Sequence, residues 1–145
     1  KLVKGFVVMS GSVPRSLGGG AYNEIAEHLS RDIQLIIDTS GLALRKVVNL
    51  NPFLIKPNIK ELEEILDRNL NSTKELIDAG CKIVEMGVQK IIVSMGSDGA
   101  ILINNKDIFV ASVPEINSVS TIGAGDSVFA GIIIASQNVS SLSYS

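Results

Sequence analysis

Apolar and polar positions follow two alternating spacings along the chain. Four short runs, residues 5–9, 34–38, 53–56 and 90–94, are apolar at almost every position. Such runs are typical of strands that are covered on both faces. Segments with a helical spacing of apolar residues lie between the runs. The pattern therefore predicts parallel strands joined by right-handed crossovers in a doubly covered α/β sheet.

Four segments between these strands are predicted to be helical. The first contains Tyr22, Ile25, Ala26 and Leu29, which share one helical face. The other three are the segments 42–48, with Ser40 as its cap, 61–66 and 72–88. Ser72 and Glu75 at the start of the last segment have the spacing of a capping box. Residues 100–103 and 108–111 predict an antiparallel hairpin at the edge of the sheet. Residues 124–135 are apolar almost all round, which predicts a buried helix.

Composition narrows the class of protein. The chain has 145 residues, 46% of them hydrophobic, and a formal charge of −2, which fits one compact domain or a piece of a larger one. The balanced charge predicts that the chain does not bind nucleic acid, and the absence of a long apolar stretch predicts that it does not span a membrane. Cys81 is the single cysteine, and a small buried thiol in a reducing, cytoplasmic compartment is its expected role. His28, beside Glu27, is expected at the surface.

The glycine-rich segment 120–127 is the strongest candidate for chemistry. It places Gly123, Ala124, Gly125 and Asp126 at the start of the predicted buried helix. Backbone N–H groups there can hold a phosphate or a developing phosphoryl charge. Asp126 would repel that phosphate unless it receives a proton, which makes it a candidate base for an attacking hydroxyl. In the structural alternative, Gly125 eases a turn and Asp126 complements the helix dipole.

Two other strand ends carry matching features, each with a structural alternative. Residues 94–99 form a glycine-rich segment that suits close approach to a nucleotide, or simply a tight turn at Asp98 and Gly99. Lys56 is followed by Asn58 and Glu61, which suit either a capping box or the organisation of water around Mg²⁺. Polar loops at 10–14 and 38–41 follow two more strands. The carboxyl ends of strands are where an open α/β sheet places its ligand crevice.

Taken in order, these motifs resemble the ribokinase-like (PfkB) carbohydrate kinases. The segments that carry the resemblance are 10–14, 38–41, 56–61, 94–99 and 121–127. The combination of Asp-Thr-Ser-Gly and Lys-Pro-Asn is most similar to the branch of 1-phosphofructokinase and tagatose-6-phosphate kinase. The resemblance implies a three-layer α/β/α fold with a mostly parallel sheet, present here as a partial domain.

The resemblance also implies a reaction and a site. ATP would phosphorylate a primary hydroxyl of a sugar phosphate, with fructose 1-phosphate as the expected substrate and tagatose 6-phosphate or another sugar as the alternative. Asp126 would be the catalytic base, with the backbone of residues 123–125 as the anion hole. The residues expected to bind ATP are Lys56, Asn58, Ser94, Gly96, Gly99, Gly123 and Gly125. Glu61 would position Mg²⁺ through water.

The resemblance has consequences for the extent of the protein. Chains of the family are considerably longer, and the sugar-binding motif and small β lid lie outside this sequence. Residues 1–145 are therefore expected to be the C-terminal, ATP-binding and catalytic part of a kinase domain. A homodimer is expected for the full-length parent, and a nucleotide-binding fragment without catalysis is the alternative for this chain.

Overall fold

The structure is a computed structural model and describes residues 5–112, apart from the side chain of Arg15. Within that range, six strands form one sheet in the order in which they occur along the chain. They are β1 (Gly5–Ser10), β2 (Ile33–Asp38), β3 (Leu54–Ile55), β4 (Lys90–Ser94), β5 (Ala100–Asn104) and β6 (Ile108–Ala111). β1 to β4 are parallel to one another, and β4–β5 and β5–β6 are antiparallel. The predicted α/β class, mostly parallel sheet and hairpin are confirmed.

Four α-helices occupy the crossovers between the parallel strands of the described range. They are α1 (Ala21–Glu27), α2 (Gly41–Val47), α3 (Ile59–Leu66) and α4 (Thr73–Glu85). Short 3₁₀ segments lie at Arg15–Gly20, Val48–Leu50 and Gly96–Asp98. The first of these lies in the loop after β1, and the third lies in the turn after β4.

The main hydrophobic core lies between one face of the sheet and these helices. Alternate strand residues such as Met9, Ile37 and Ile55 join a single buried cluster with Leu44 of α2 and Leu62 of α3. Successive residues of a strand point to opposite faces, so the shared parity places the helices on one face of the sheet. The described range thus shows the sheet and one helical layer of the predicted three-layer fold.

Two predicted details of the helices are confirmed only in part. Tyr22 packs against the core as expected, but Ile25 on the same predicted face is 49% exposed. Ser40 occupies the N-cap position of α2, yet its side chain accepts no capping hydrogen bond. The backbone alone begins that helix, with the N–H of Leu44 donating to the carbonyl of Ser40 over 3.5 Å.

The cap of α4 is confirmed in half. Ser72 Oγ accepts a hydrogen bond from the N–H of Glu75 at 3.2 Å. The carboxylate of Glu75 reaches one residue further back than in a capping box and accepts from the N–H of Asn71 at 2.6 Å. Both bonds satisfy donors around the start of α4.

Other expectations have mixed outcomes. His28 is exposed, as predicted. Cys81 is a free cysteine that packs beside the core and is only half-buried, so the predicted burial of its thiol is confirmed in part. No helix within residues 5–112 is both long enough and apolar enough to cross a membrane. The predicted buried helix 124–135 lies outside the described residues.

Candidate functional site

Four polar strand ends meet at the carboxyl edge of the parallel part of the sheet. Register places Ser10 of β1 opposite Asp38 of β2. Lys56 follows β3 directly, and Ser94 ends β4. The parallel arrangement therefore brings together the motifs that the sequence separates by dozens of residues, as expected for a ligand crevice in an open α/β sheet.

The loop after β1 is fixed to the loop after β2 by Gly11. Its N–H donates to the carbonyl of Asp38 at 2.9 Å, which continues the β1–β2 ladder past the end of β1. Its own carbonyl accepts hydrogen bonds from Tyr22 Oη and from Thr39 Oγ1, each at 2.8 Å. Gly11 has a φ of +112°, which side-chain-bearing residues rarely adopt. The chain can turn here because position 11 is glycine.

Asp38 and Lys56 form an ion pair across the ends of β2 and β3. Lys56 Nζ lies 3.6 Å from Asp38 Oδ1, and the two side chains are 16% and 25% exposed. From the sequence, Asp38 was expected only as part of a polar loop and not as a site residue. An acidic residue in the last position of a buried strand was the signal that could have found it. The pair places a cation, held by a carboxylate, at the edge of the crevice.

Asn58 and Glu61 form a complete capping box at the start of α3. Asn58 Oδ1 accepts from the N–H of Glu61 at 3.0 Å, and Glu61 Oε2 accepts from the N–H of Asn58 at 2.9 Å. The structural alternative for this pair is therefore confirmed. A carboxylate offers about four lone-pair positions, so one backbone hydrogen bond leaves Glu61 able to accept from water as well. The two roles are compatible at Glu61.

Ser94 ties the end of β4 to the segment that leads into α3. Its N–H donates to the carbonyl of Pro57 at 3.0 Å, and its hydroxyl donates to the same carbonyl at 3.4 Å. Ser94 and Asn58 also form an isolated parallel bridge. Lys56, Asn58 and Ser94 are thus held close together, as three neighbouring ATP-binding candidates require.

Gly96 and Gly99 differ in their surroundings. Both have positive φ, +62° and +100°, in the turn between β4 and β5. A Cβ built on Gly99 would collide with the carbonyl oxygen of Ala111, whereas a Cβ on Gly96 would meet nothing within 4 Å. Close packing of the hairpin therefore accounts for Gly99. The backbone at Gly96 is open to an approaching group, so Gly96 is the better candidate for contact with a nucleotide.

A cavity of about 660 Å³ opens beside the loops after β1 and β2. Its lining residues are Val13, Pro14, Gly18, Gly19, Ser40, Gly41, Leu42 and Ala43. These residues follow directly on the Gly11 junction and on Asp38, so the cavity borders the same edge of the sheet. Its lining is made mainly of small and apolar groups.

The candidate base and anion hole lie outside the described residues. They are Asp126 and the backbone of Gly123, Ala124 and Gly125, and their roles stay predictions. Within residues 5–112, no group of three or more His, Cys, Asp or Glu side chains could hold a metal ion.

Comparisons with known proteins find several sugar-phosphate kinases similar to this chain. The chain is 63% identical to 1-phosphofructokinase of Borreliella burgdorferi over 137 residues. The matched region covers 94% of this chain and 45% of that protein. It is 39% identical to tagatose-6-phosphate kinase of Staphylococcus epidermidis over 129 residues, 86% of this chain and 42% of the relative. The structure of phosphofructokinase-2 from Escherichia coli in complex with substrates and products is 32% identical, with a TM-score of 0.83 over 92% of this chain and 45% of that one.

The chain spans less than half the length of these relatives. These fractions give how much of each relative is matched and not which part of it. The placement of the chain in the C-terminal part of a kinase domain therefore stays a prediction. The pfkB family carbohydrate kinase pattern matches residues 4–145, nearly the whole sequence. Together with the polar edge of the sheet, this match shows that the chain belongs to the pfkB family of carbohydrate kinases.

Proposed function

We propose that the protein containing this chain transfers the γ-phosphoryl group of ATP to a primary hydroxyl of a sugar phosphate, with fructose 1-phosphate as its substrate. The observation that carries the proposal is the 63% identity to a 1-phosphofructokinase over nearly the whole chain. The polar edge of the sheet supports it, since a held cation and open backbone suit phosphate groups. ATP supplies the phosphoryl group, and Mg²⁺ neutralises charge on its phosphates.

The residues at the crevice have distinct roles in this proposal. Lys56 donates from its ammonium group to phosphate oxygens, and Asp38 holds that group in place at 3.6 Å. Asn58, Ser94 and Gly96 shape the wall on which the nucleotide lies, and Gly99 contributes by allowing the tight turn after β4. Glu61 keeps one backbone hydrogen bond and, with Mg-ATP bound, would accept a hydrogen bond from a water ligand of Mg²⁺.

The chemical step falls to the segment 123–126. Asp126 accepts the proton of the sugar's primary hydroxyl, whose oxygen forms a bond to the γ-phosphorus. The bond from that phosphorus to the β–γ bridging oxygen breaks, and ADP leaves. Backbone N–H groups of Gly123, Ala124 and Gly125 donate to the charge that develops on the transferring group. These roles follow from the family resemblance and the order of the motifs.

The experiment that tests the proposal is a coupled ADP-release assay on the complete gene product that contains this sequence. Fructose 1-phosphate, tagatose 6-phosphate and fructose 6-phosphate are supplied in parallel with Mg-ATP. We expect the highest kcat/KM with fructose 1-phosphate, and Asp126→Asn should abolish turnover while titration calorimetry still detects ATP binding. Normal turnover by that variant would refute the assignment of the base.

A second candidate is motivated by the length of the chain. Because it spans 45% of the first relative, the 145-residue chain by itself could bind Mg-ATP without catalysing transfer. Calorimetry and the same coupled assay, applied to the 145-residue chain, separate the two: binding without turnover supports the second candidate, and turnover excludes it.

We also propose a cytoplasmic location and a homodimer for the complete protein, the latter to be measured by light scattering.

A further inference from the structure

The carbonyl of Gly11 is an acceptor shared by two distant parts of the chain. Tyr22 donates from α1, and Thr39 donates from the loop after β2, both over 2.8 Å. A carbonyl oxygen has two lone pairs, so the two hydroxyls saturate it. Two side-chain hydroxyls thus hold this carbonyl from two sides.

Thr39 is an unusual residue for its position. It is 6% exposed and is the one buried polar side chain identified among the described residues. Burial of a hydroxyl is unfavourable unless the group is hydrogen-bonded, and the bond to Gly11 supplies that partner. Valine would fill nearly the same volume without needing a partner. The hydroxyl therefore suggests a requirement beyond core packing.

The neighbours of this junction connect it to the charged part of the crevice. Thr39 follows Asp38 in sequence, and the N–H of Gly11 donates to the carbonyl of Asp38 at 2.9 Å. The carboxylate of the same Asp38 holds Lys56. A rotation of the loop at Gly11 would thus disturb the residue that orients the candidate phosphate-binding ammonium group.

We propose that Tyr22 and Thr39 are positioning residues, whose hydroxyls clamp the Gly11 carbonyl and so fix Asp38 and Lys56 for phosphoryl transfer. Neither residue touches the reacting atoms in this proposal. The clamp acts through geometry, and catalysis is sensitive to displacements of about 1 Å at such groups. This inference rests on the proposed kinase function.

The test compares three substitutions in the complete protein. Thr39→Val removes the hydroxyl with little change in volume, Thr39→Ser keeps the hydroxyl, and Tyr22→Phe removes the second donor. Ser72→Ala is the matched control, because it also removes one side-chain hydrogen bond, at the start of α4 and away from the crevice. The measurements are kcat and KM for Mg-ATP and fructose 1-phosphate, with thermal melting of each variant.

We expect Thr39→Val to lower kcat by about 5-fold, the factor equivalent to one lost hydrogen bond of ordinary strength. Thr39→Ser should restore most of it, and Ser72→Ala should leave kcat unchanged at a similar melting temperature. Because both hydroxyls act on one acceptor, the double variant of Tyr22→Phe and Thr39→Val should be non-additive. Equal kcat for Thr39→Val and the unmodified protein would overturn the proposal, as would failure of Thr39→Ser to restore activity.

Hydrogen exchange separates this proposal from the proposed function. If the unmodified protein phosphorylates none of the three sugar phosphates, the proposed function fails, and the exchange rate of the Gly11 amide then decides whether the clamp exists. Faster exchange in Thr39→Val than in Ser72→Ala supports a clamp that fixes the loop against Asp38. Equal exchange rates in the two variants overturn it.

Discussion

At Asn58, a helix cap and a candidate phosphate-binding residue coincide. Its side chain accepts from Glu61 and its backbone donates to Glu61, so the cap also fixes the orientation of the Glu61 carboxylate. A capping box and a site for hydrated Mg²⁺ were alternatives in the sequence because both need the same two residues at the same spacing. The geometry shows the capping box, and in the proposed function this box would hold the Glu61 carboxylate for hydrated Mg²⁺.

Removal of this cap should therefore have two effects. Asn58→Ala should lower the free energy of unfolding by about 1 kcal/mol, as expected for loss of an N-cap, and should also weaken Mg-ATP binding because Glu61 is released. Denaturant unfolding and titration calorimetry measure the two quantities. Ser72→Ala, which removes the corresponding bond at α4, should lower stability by a similar amount and leave ATP affinity unchanged. Equal ATP affinity in both variants would contradict the dual role.

The two glycines between β4 and β5 lead to a second comparison. Gly99→Ala combines an unfavourable φ of +100° with a collision at the Ala111 carbonyl, so it should cost more than the roughly 1–3 kcal/mol of backbone strain alone. Gly96→Ala has open space at its Cβ and should cost only about 1–2 kcal/mol. Urea unfolding of both variants measures the difference. A larger loss at Gly96 would show that the surroundings of the two glycines are misassigned.

The strand ends that form the candidate site could be predicted from the sequence, but the contacts between them could not. The polar strand ends were found because buried strands are easy to recognise from their composition. The Asp38–Lys56 pair and the Gly11 junction were missed, since residues 11 and 39 approach only when two parallel strands align in register. Register across a crossover depends on packing in three dimensions and has no local sequence signature.

At the scale of elements, three of the four apolar runs were predicted close to their observed bounds. β1, β2 and β4 lie close to the predicted runs, whereas the run 53–56 contributes only the two-residue strand β3. Proline at 52 and 57 limits the length of that strand, because proline donates no ladder hydrogen bond. The exposed Ile25 shows that a single apolar residue on a short helix says little about which face is buried.

The packing of α4 on the sheet depends on Gly80. A Cβ at this position would collide with the Cδ1 atom of Ile103 and lie 3.6 Å from Ile91 Cγ2, and both isoleucines are fully buried. Alanine gains about 1 kcal/mol in helix propensity over glycine, but overpacking a dense core costs about 1–3 kcal/mol. We expect Gly80→Ala to lower the free energy of unfolding.

A double variant tests the cause of that loss. Ile103→Val removes the Cδ1 atom and by itself should cost about 0.5–1.5 kcal/mol. Combined with Gly80→Ala, it should make room for the new methyl group, so the two losses should sum to more than the loss in the double variant. Denaturant unfolding of the four proteins completes the cycle. Simple additivity would show that the collision does not control the effect.

At the scale of the molecule, β6 is one edge of the sheet that the structure describes, and its exposed apolar residues favour self-association. In the part of the chain that the structure describes, β6 pairs only with β5, and Ile108, Phe109 and Val110 are 46%, 56% and 61% exposed. Consecutive exposed apolar residues on an edge strand favour pairing with another chain, and a lysine there opposes it.

Phe109→Lys should therefore reduce association of the 145-residue chain, measured by light scattering over a range of concentrations. Met86→Lys adds the same charge at an exposed residue next to α4, away from the edge, and should leave association unchanged. An equal reduction by both variants would mean that net charge, and not the edge of the sheet, controls association.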